Sequence, residues 1–166
     1  FSTGGVERIS ITNSGISGTG VGGKFLQIVG AVDGSNMSST TSTSYVDTGM
    51  SVNITTSASG HAGVFAIVAG NIGGVSNTSG GEAVGIMRLV RDSTELINAT
   101  HGAWAGNVSG AKTQDYSTAA MNFYDTGTSA STTYTYKVQF KTYSDSVSAN
   151  WNFYSKSSIY LIEVGS

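Results

Sequence analysis

Few side chains in this sequence are equipped for chemistry, and those few are scattered. The histidines are His61 and His101, and cysteine is absent. A thiol nucleophile is therefore missing, and a histidine-based zinc site within one chain lacks a second histidine at ligand spacing in HAGVF or THGAW. Both histidines read as ordinary loop residues, although assembly about a three-fold axis is one way to bring three copies of one histidine together. Of the ten carboxylates, Asp92 and Glu95 in RDSTEL are the one tight acidic grouping near a strand end. Glycoside hydrolysis needs two carboxylates flanking a cleft. Arg91-Asp92-Ser93-Thr94 reads first as a turn, with the Asp side chain capping it.

Metal and phosphate sites fare no better. Asp33-Gly-Ser-Asn36 and Asp125-Thr-Gly127 are rich in oxygen but lack the spacing of a calcium loop, and both read as hairpin turns. GVGGK at 20–24 has no four-residue spacer between its glycines. Phe25 stands where a magnesium-binding hydroxyl belongs, and a strand rather than a helix follows. Asn-x-Ser/Thr triplets at Asn36, Asn53, Asn77, Asn98 and Asn107 are expected by chance where Ser and Thr are this common. The expectation is no enzyme, no metal and no cofactor.

Binding chemistry is better represented. Residues 100–118 read as a long loop, and long loops in compact domains are often functional. Trp104 lies there between Gly102 and Gly106, with little apolar company nearby. An aromatic ring takes the C–H face of a pyranose while neighbouring amides, carboxylates and ammonium groups take its hydroxyls. His101, Trp104, Asn107, Lys112, Asp115 and Tyr116 are thus the candidate receptor contacts. The competing reading makes Trp104 an anchor in a subunit interface. Trp151 alternates with Phe153 and reads as core. The Gly-Ser-Asn segment 70–81 reads as a second loop.

The framework that must hold these residues is β. Thr133 to Lys141 alternates without a fault, with Tyr134, Tyr136, Val138 and Phe140 inward. Tyr45 to Ile54 places Val46, Met50, Val52 and Ile54 on one face. Val64 to Ala69, Val84 to Arg91 and Ile159 to Val164 are further strands, with shorter ones at Met121 to Tyr124 and Asn150 to Tyr154. Phe25 to Val32 is apolar on both faces and reads as a central strand. Helical spacing is missing over any useful length. About eight strands separated by Gly, Ser, Asn and Asp predict an all-β fold, an antiparallel two-sheet sandwich of jelly-roll type. Residues 1–23 carry one short amphipathic strand with Ile9 and Ile11, then a glycine series, and read as a shaft-derived connector. Residues 24–166 read as the sandwich domain.

Composition narrows the partners. Only 11% of residues are charged, while serine and threonine supply the polar fraction. A net charge of −2 gives no footprint for nucleic acid, and no polybasic patch addresses a membrane. The apolar run at 64–69 is too short to span a bilayer. Strands this poor in charge aggregate unless the sheet edges are protected, and specific oligomerisation protects them, which predicts an obligate oligomer.

The wording of the strands adds a resemblance. GGVERISITNSGISGTG resembles an element common just upstream of the tips of bacteriophage tail fibres. GKFLQIV, TSTSYVDTGMSVNIT, IMRLVRDSTEL, TTYTYKVQF and SSIYLIEV resemble, in that order, a C-terminal module of tail-fibre and virion structural proteins of aquatic phages. The resemblance implies a homotrimeric fibre tip ending near Ser166, joined to other virion proteins through its N-terminal side. It also implies recognition of a host polysaccharide or outer-membrane component. No receptor residues carry over from it. A head decoration protein and a secreted carbohydrate-binding module are the alternatives.

Overall fold

Period-two sequences become strands here because alternation lets each strand bury one face. In a computed structural model of the protein, the structure describes residues 2–3, 6–7, 10–12, 15–17, 24–33, 38–76, 83–105, 114–143, 147–151 and 156–165. Residues 1–23 contribute two short hairpins to this set. β1 (Ser2–Thr3) pairs with β2 (Val6–Glu7), and β3 (Ser10–Thr12) pairs with β4 (Gly15–Ser17). The strands that follow are β5 (Lys24–Asp33), β6 (Ser38–Thr40), β7 (Val46–Thr55), β8 (His61–Ser76) and β9 (Ala83–Arg91). Then come β10 (Thr94–Ala105), β11 (Gln114–Asp125), β12 (Thr133–Thr142), β13 (Val147–Trp151) and β14 (Ser157–Gly165).

Two antiparallel sheets form a sandwich. One has the order β10-β9-β12-β7. The other has the order β5-β14-β8-β13-β6, with β11 on the remaining edge of β8. β14 and β13 lie end to end along one side of β8, facing His61–Ala69 and Ile72–Ser76 in turn. Five antiparallel pairs are nested one inside the next in sequence: β9/β10, β8/β11, β7/β12, β6/β13 and β5/β14. A long hairpin rolled up in this manner is a jelly roll. At the sandwich margins, β10 lies beside β11 and β5 lies beside β7.

The core sits between the sheets. Met50, Val52 and Ile54 of β7, Met87 and Leu89 of β9, and Tyr136, Val138 and Phe140 of β12 come from one side. Val64, Ala66, Val68 and Ile72 of β8, Ile159 and Leu161 of β14, and Trp151 of β13 meet them from the other. Each large apolar side chain buried this way contributes about 1.5–3 kcal/mol.

Several sequence expectations need correction. β5 is an edge strand whose backbone pairs with β14 alone among the described strands, not a central one. Its inner face gives Val29 and Ala31 to the core, and its outer face leaves Phe25, Ile28 and Val32 exposed. A register shift near Val164 brings Phe25 onto the same side as Ile28. Residues 70–76 are not loop but the second half of β8. Glycine there serves packing, since a Cβ on Gly70 would stand within 2.6 Å of Trp151 Cζ2. Residues 100–105 and 114–118 are likewise strand rather than loop, and 106–113 lie outside the described residues.

Candidate functional site

Topology assigns the candidate residues to one end of the sandwich. His101 and Trp104 belong to β10, where Trp104 pairs with Val84. Asp115 and Tyr116 belong to β11 and pair with Gly74 and Gly73. Asn107 and Lys112 lie outside the described residues. Since β10 and β11 run side by side, they bring His101, Trp104, Asp115 and Tyr116 to the same end as Ser76 of β8 and Thr142 of β12. Lys24 is at the opposite end, paired with Gly165, which in turn faces His61 at the start of β8. The sixteen residues of β8 set the separation of the two ends, roughly 50 Å at about 3.3 Å per residue.

The end near Lys24 holds a buried polar knot that sequence reading did not find. His61 is not an ordinary loop histidine: it opens β8 with its side chain 4% exposed. His61 Nδ1 lies 2.8 Å from Glu163 Oε1, and Nε2 lies 2.9 Å from Thr128 Oγ1. Glu163 is fully buried. Its carboxylate accepts hydrogen bonds from Gln27 Nε2 at 2.6 Å, from the Ser57 N–H at 2.7 Å and from Ser57 Oγ at 2.9 Å. Burial opposes ionisation of Glu163, but these donors outweigh it and hold the carboxyl below its ordinary range. The available signal was a single carboxylate on an inward position of SSIYLIEV, because a buried charge must be paired.

A second knot joins the two sheets. Arg91 of β9 donates through Nη1 to both carboxylate oxygens of Asp125 at 2.6 Å. The Tyr136 hydroxyl donates to Asp125 Oδ2 at 2.7 Å, and the Gly127 N–H donates to Oδ1 at 2.9 Å. Burial first, then the adjacent carboxylate, push the Tyr136 phenol well above its usual range. Asp125-Thr-Gly127 is not the expected hairpin turn, because β11 and β12 lie in different sheets. The Gly127 N–H instead caps the Asp125 carboxylate as the chain crosses over, and the buried charge joins both sheets.

Asp92 and Glu95 serve different partners. Asp92 adopts φ 53° in the two-residue turn between Arg91 and Thr94, and its Oδ1 accepts from the Thr135 N–H at 2.9 Å. Glu95 pairs with Arg88 at 2.8 Å. No group of three or more His, Asp or Glu residues among those described could hold a metal ion.

The outer faces of the two sheets differ in kind. On the β10-β9-β12-β7 sheet, Arg88 donates to Gln139 and Glu95, and Asp47 accepts from Gln139 and Lys137. Tyr45 stacks 4.1 Å from the Arg88 guanidinium and 4.8 Å from Lys141 Nζ. On the other sheet, cross-strand rows read Ile28–Ile162–Phe65–Tyr124, then Gly30–Tyr160–Ile67–Asn122, then Val32–Ser158–Ala69–Ala120. None of these positions carries a charge.

Comparison with known proteins adds little to this geometry. No family model and no curated protein matches the chain. Among solved structures, one of the infectious bursal disease virus Gx strain aligns over 96% of this chain with a TM-score of 0.30 and 10% identity. The chain spans 46% of the length of that protein.

Proposed function

We propose that this chain is the non-enzymatic, host-adhering tip of a phage tail fibre. It is a homotrimeric virion component, assembled in the host cytoplasm, that binds a surface polysaccharide or outer-membrane component. The observation supporting this reading is that β10 and β11 bring His101, Trp104, Asp115 and Tyr116 to the end of the sandwich remote from Lys24, the residue into which residues 1–23 lead. A shaft on the Lys24 side leaves the opposite end free to meet a cell. Three weak sites on one rigid head gain avidity that a single site lacks.

Adsorption of the labelled chain to a panel of bacterial cells tests the reading. Wild type binds, and Trp104→Ala abolishes binding while sedimentation shows the same oligomer. Adhesion that survives the substitution sinks the site assignment, and absence of adhesion to every strain sinks the receptor role.

One observation favours a second reading, a virion decoration protein without a receptor role. His101, Trp104, Asp115 and Tyr116 lie on strands rather than in a long loop, where side chains serve packing between subunits as readily as recognition. Retention on purified virions without adhesion to cells would favour it.

A further inference from the structure

We infer that copies of this chain meet through the outer face of the β5-β14-β8-β11 layer, with Ile67 near the centre of the contact. This inference rests on the reading that the chain assembles with itself and specifies the surface that does so.

Exposure is the first argument. Phe25, Ile28 and Val32 of β5 are 74%, 61% and 56% exposed, and Tyr160 and Tyr124 on the same face are 41% and 44% exposed. Isolated exposed apolar residues are ordinary, but a contiguous patch marks an interface. These residues are contiguous through the rows that join Ile28 to Tyr124 and Val32 to Ala120.

Size is the second. Four strands about 4.8 Å apart, over nine residues at about 3.3 Å each, give a footprint of roughly 600 Å². That is at the upper end for patches on monomers, about 300–600 Å², and the relief of the side chains carries it towards the ~800 Å² per partner of a stable interface.

Shape is the third. The Tyr160 ring lies over Gly30, where a Cβ would come within 2.7 Å of Cε1. The Tyr124 ring lies over Gly63, where a Cβ would come within 2.9 Å of the ring. Both rings are laid down on glycine, which keeps the face low enough for another sheet to approach.

Charge selects the occupant. A neutral apolar face needs a neutral apolar complement, because a charge buried against it would go unpaired. The opposite sheet of the sandwich cannot serve, since its outer face is the Asp47–Lys137–Arg88–Glu95 lattice. The uncharged face of like size that the described residues offer is this same face on a second copy. Three such faces close around an axis, or two stack face to face.

Sedimentation velocity with circular dichroism tests the inference on wild type, Ile67→Lys, Ala120→Glu and Lys137→Glu. Wild type is an oligomer. Ile67→Lys places like charges at the shared surface and weakens self-association by ~100-fold or more, leaving a folded monomer. Ala120→Glu, at an exposed edge-strand position, does the same and stands in if Ile67→Lys does not fold. Lys137→Glu, on the other sheet, leaves the oligomer intact. A wild-type monomer would overturn self-assembly altogether. An oligomer unchanged by both face variants would overturn this face while leaving self-assembly standing. A two-fold rather than three-fold mass would keep the face and reject the fibre trimer.

Discussion

His61 Nδ1 and Glu163 Oε1 lie 2.8 Å apart with both side chains shielded from solvent. The pair joins the first residue of β8 to the inner face of β14, and Gln27 and Ser57 draw in β5 and the β7–β8 connection. Four donors therefore converge on one carboxylate. Glu163→Gln turns an amide N–H₂ towards some of those donors and removes the charge. Hydrogen bonds to charged groups are worth about 1.5–3 kcal/mol, so the variant should lose about 2–3 kcal/mol in urea unfolding. A loss below ~0.5 kcal/mol would show that the knot is a bystander.

The same carboxyl predicts an acid limb. Unfolded, it takes up its proton near pH 4.3, while the folded carboxyl, held lower, does so only at more acidic pH. Between those values the unfolded state binds more protons, so stability rises with pH there. The contribution of Glu163 is complete above the unfolded value and is lost as pH falls through the lowered folded one. Melting temperature followed from pH 7 downwards should decline more steeply for wild type than for Glu163→Gln below about pH 4. Parallel curves would remove Glu163 from the acid response.

Asp125 and Glu95 each pair with an arginine, yet their removal should differ widely. Asp125 is buried and holds Arg91, Tyr136 and Gly127 together. Asp125→Ala leaves the Arg91 charge without its partner, which costs about 3–5 kcal/mol for buried pairs. Glu95 is 42% exposed at its side chain, and exposed pairs contribute about 0–1 kcal/mol. Glu95→Gln should therefore stay within about 0.5 kcal/mol of wild type in the same urea titration. Equal losses would contradict the difference in burial.

What the sequence made legible follows from pattern length. β7 and β12 alternate cleanly, and Met50, Val52, Ile54, Tyr136, Val138 and Phe140 are buried as expected. β14 was legible as a strand from the residues Ile159 to Val164, of which Ile159 and Leu161 are buried. β10 and the first half of β11 were not, although Met121 to Tyr124 read as strand, since His101-Gly-Ala-Trp104 and Gln114 to Ala120 mix small and polar residues in no period. Their hydrogen bonds to β9 and β8 hold them extended where propensity is silent. Asp125 and Glu163 were hidden for another reason. Their partners Arg91 and His61 are 34 and 102 residues distant in sequence. The outer face of β8 was not visible in sequence: Val64 to Ala69 is apolar throughout, and only the register puts Phe65 and Ile67 beside exposed Tyr124 and Tyr160.

Gly70 offers the sharpest check on the extended β8. It faces the interior opposite the fully buried Trp151, whose ring occupies the space a side chain would need. Were residues 70–76 a loop, as the glycine content suggests, Gly70→Ala would be neutral or mildly stabilising, because alanine restricts the unfolded chain by about 0.4–1 kcal/mol. In the strand, the added methyl meets Trp151 Cζ2 and the Ser157 hydroxyl and must displace them. Overpacking of a filled core costs about 1–3 kcal/mol. Gly70→Ala should thus destabilise by about that amount in urea. It should also perturb the near-ultraviolet circular dichroism of Trp151, because the ring is forced off its seat. A neutral Gly70→Ala with an unchanged tryptophan signal would mean that β8 ends before Gly70.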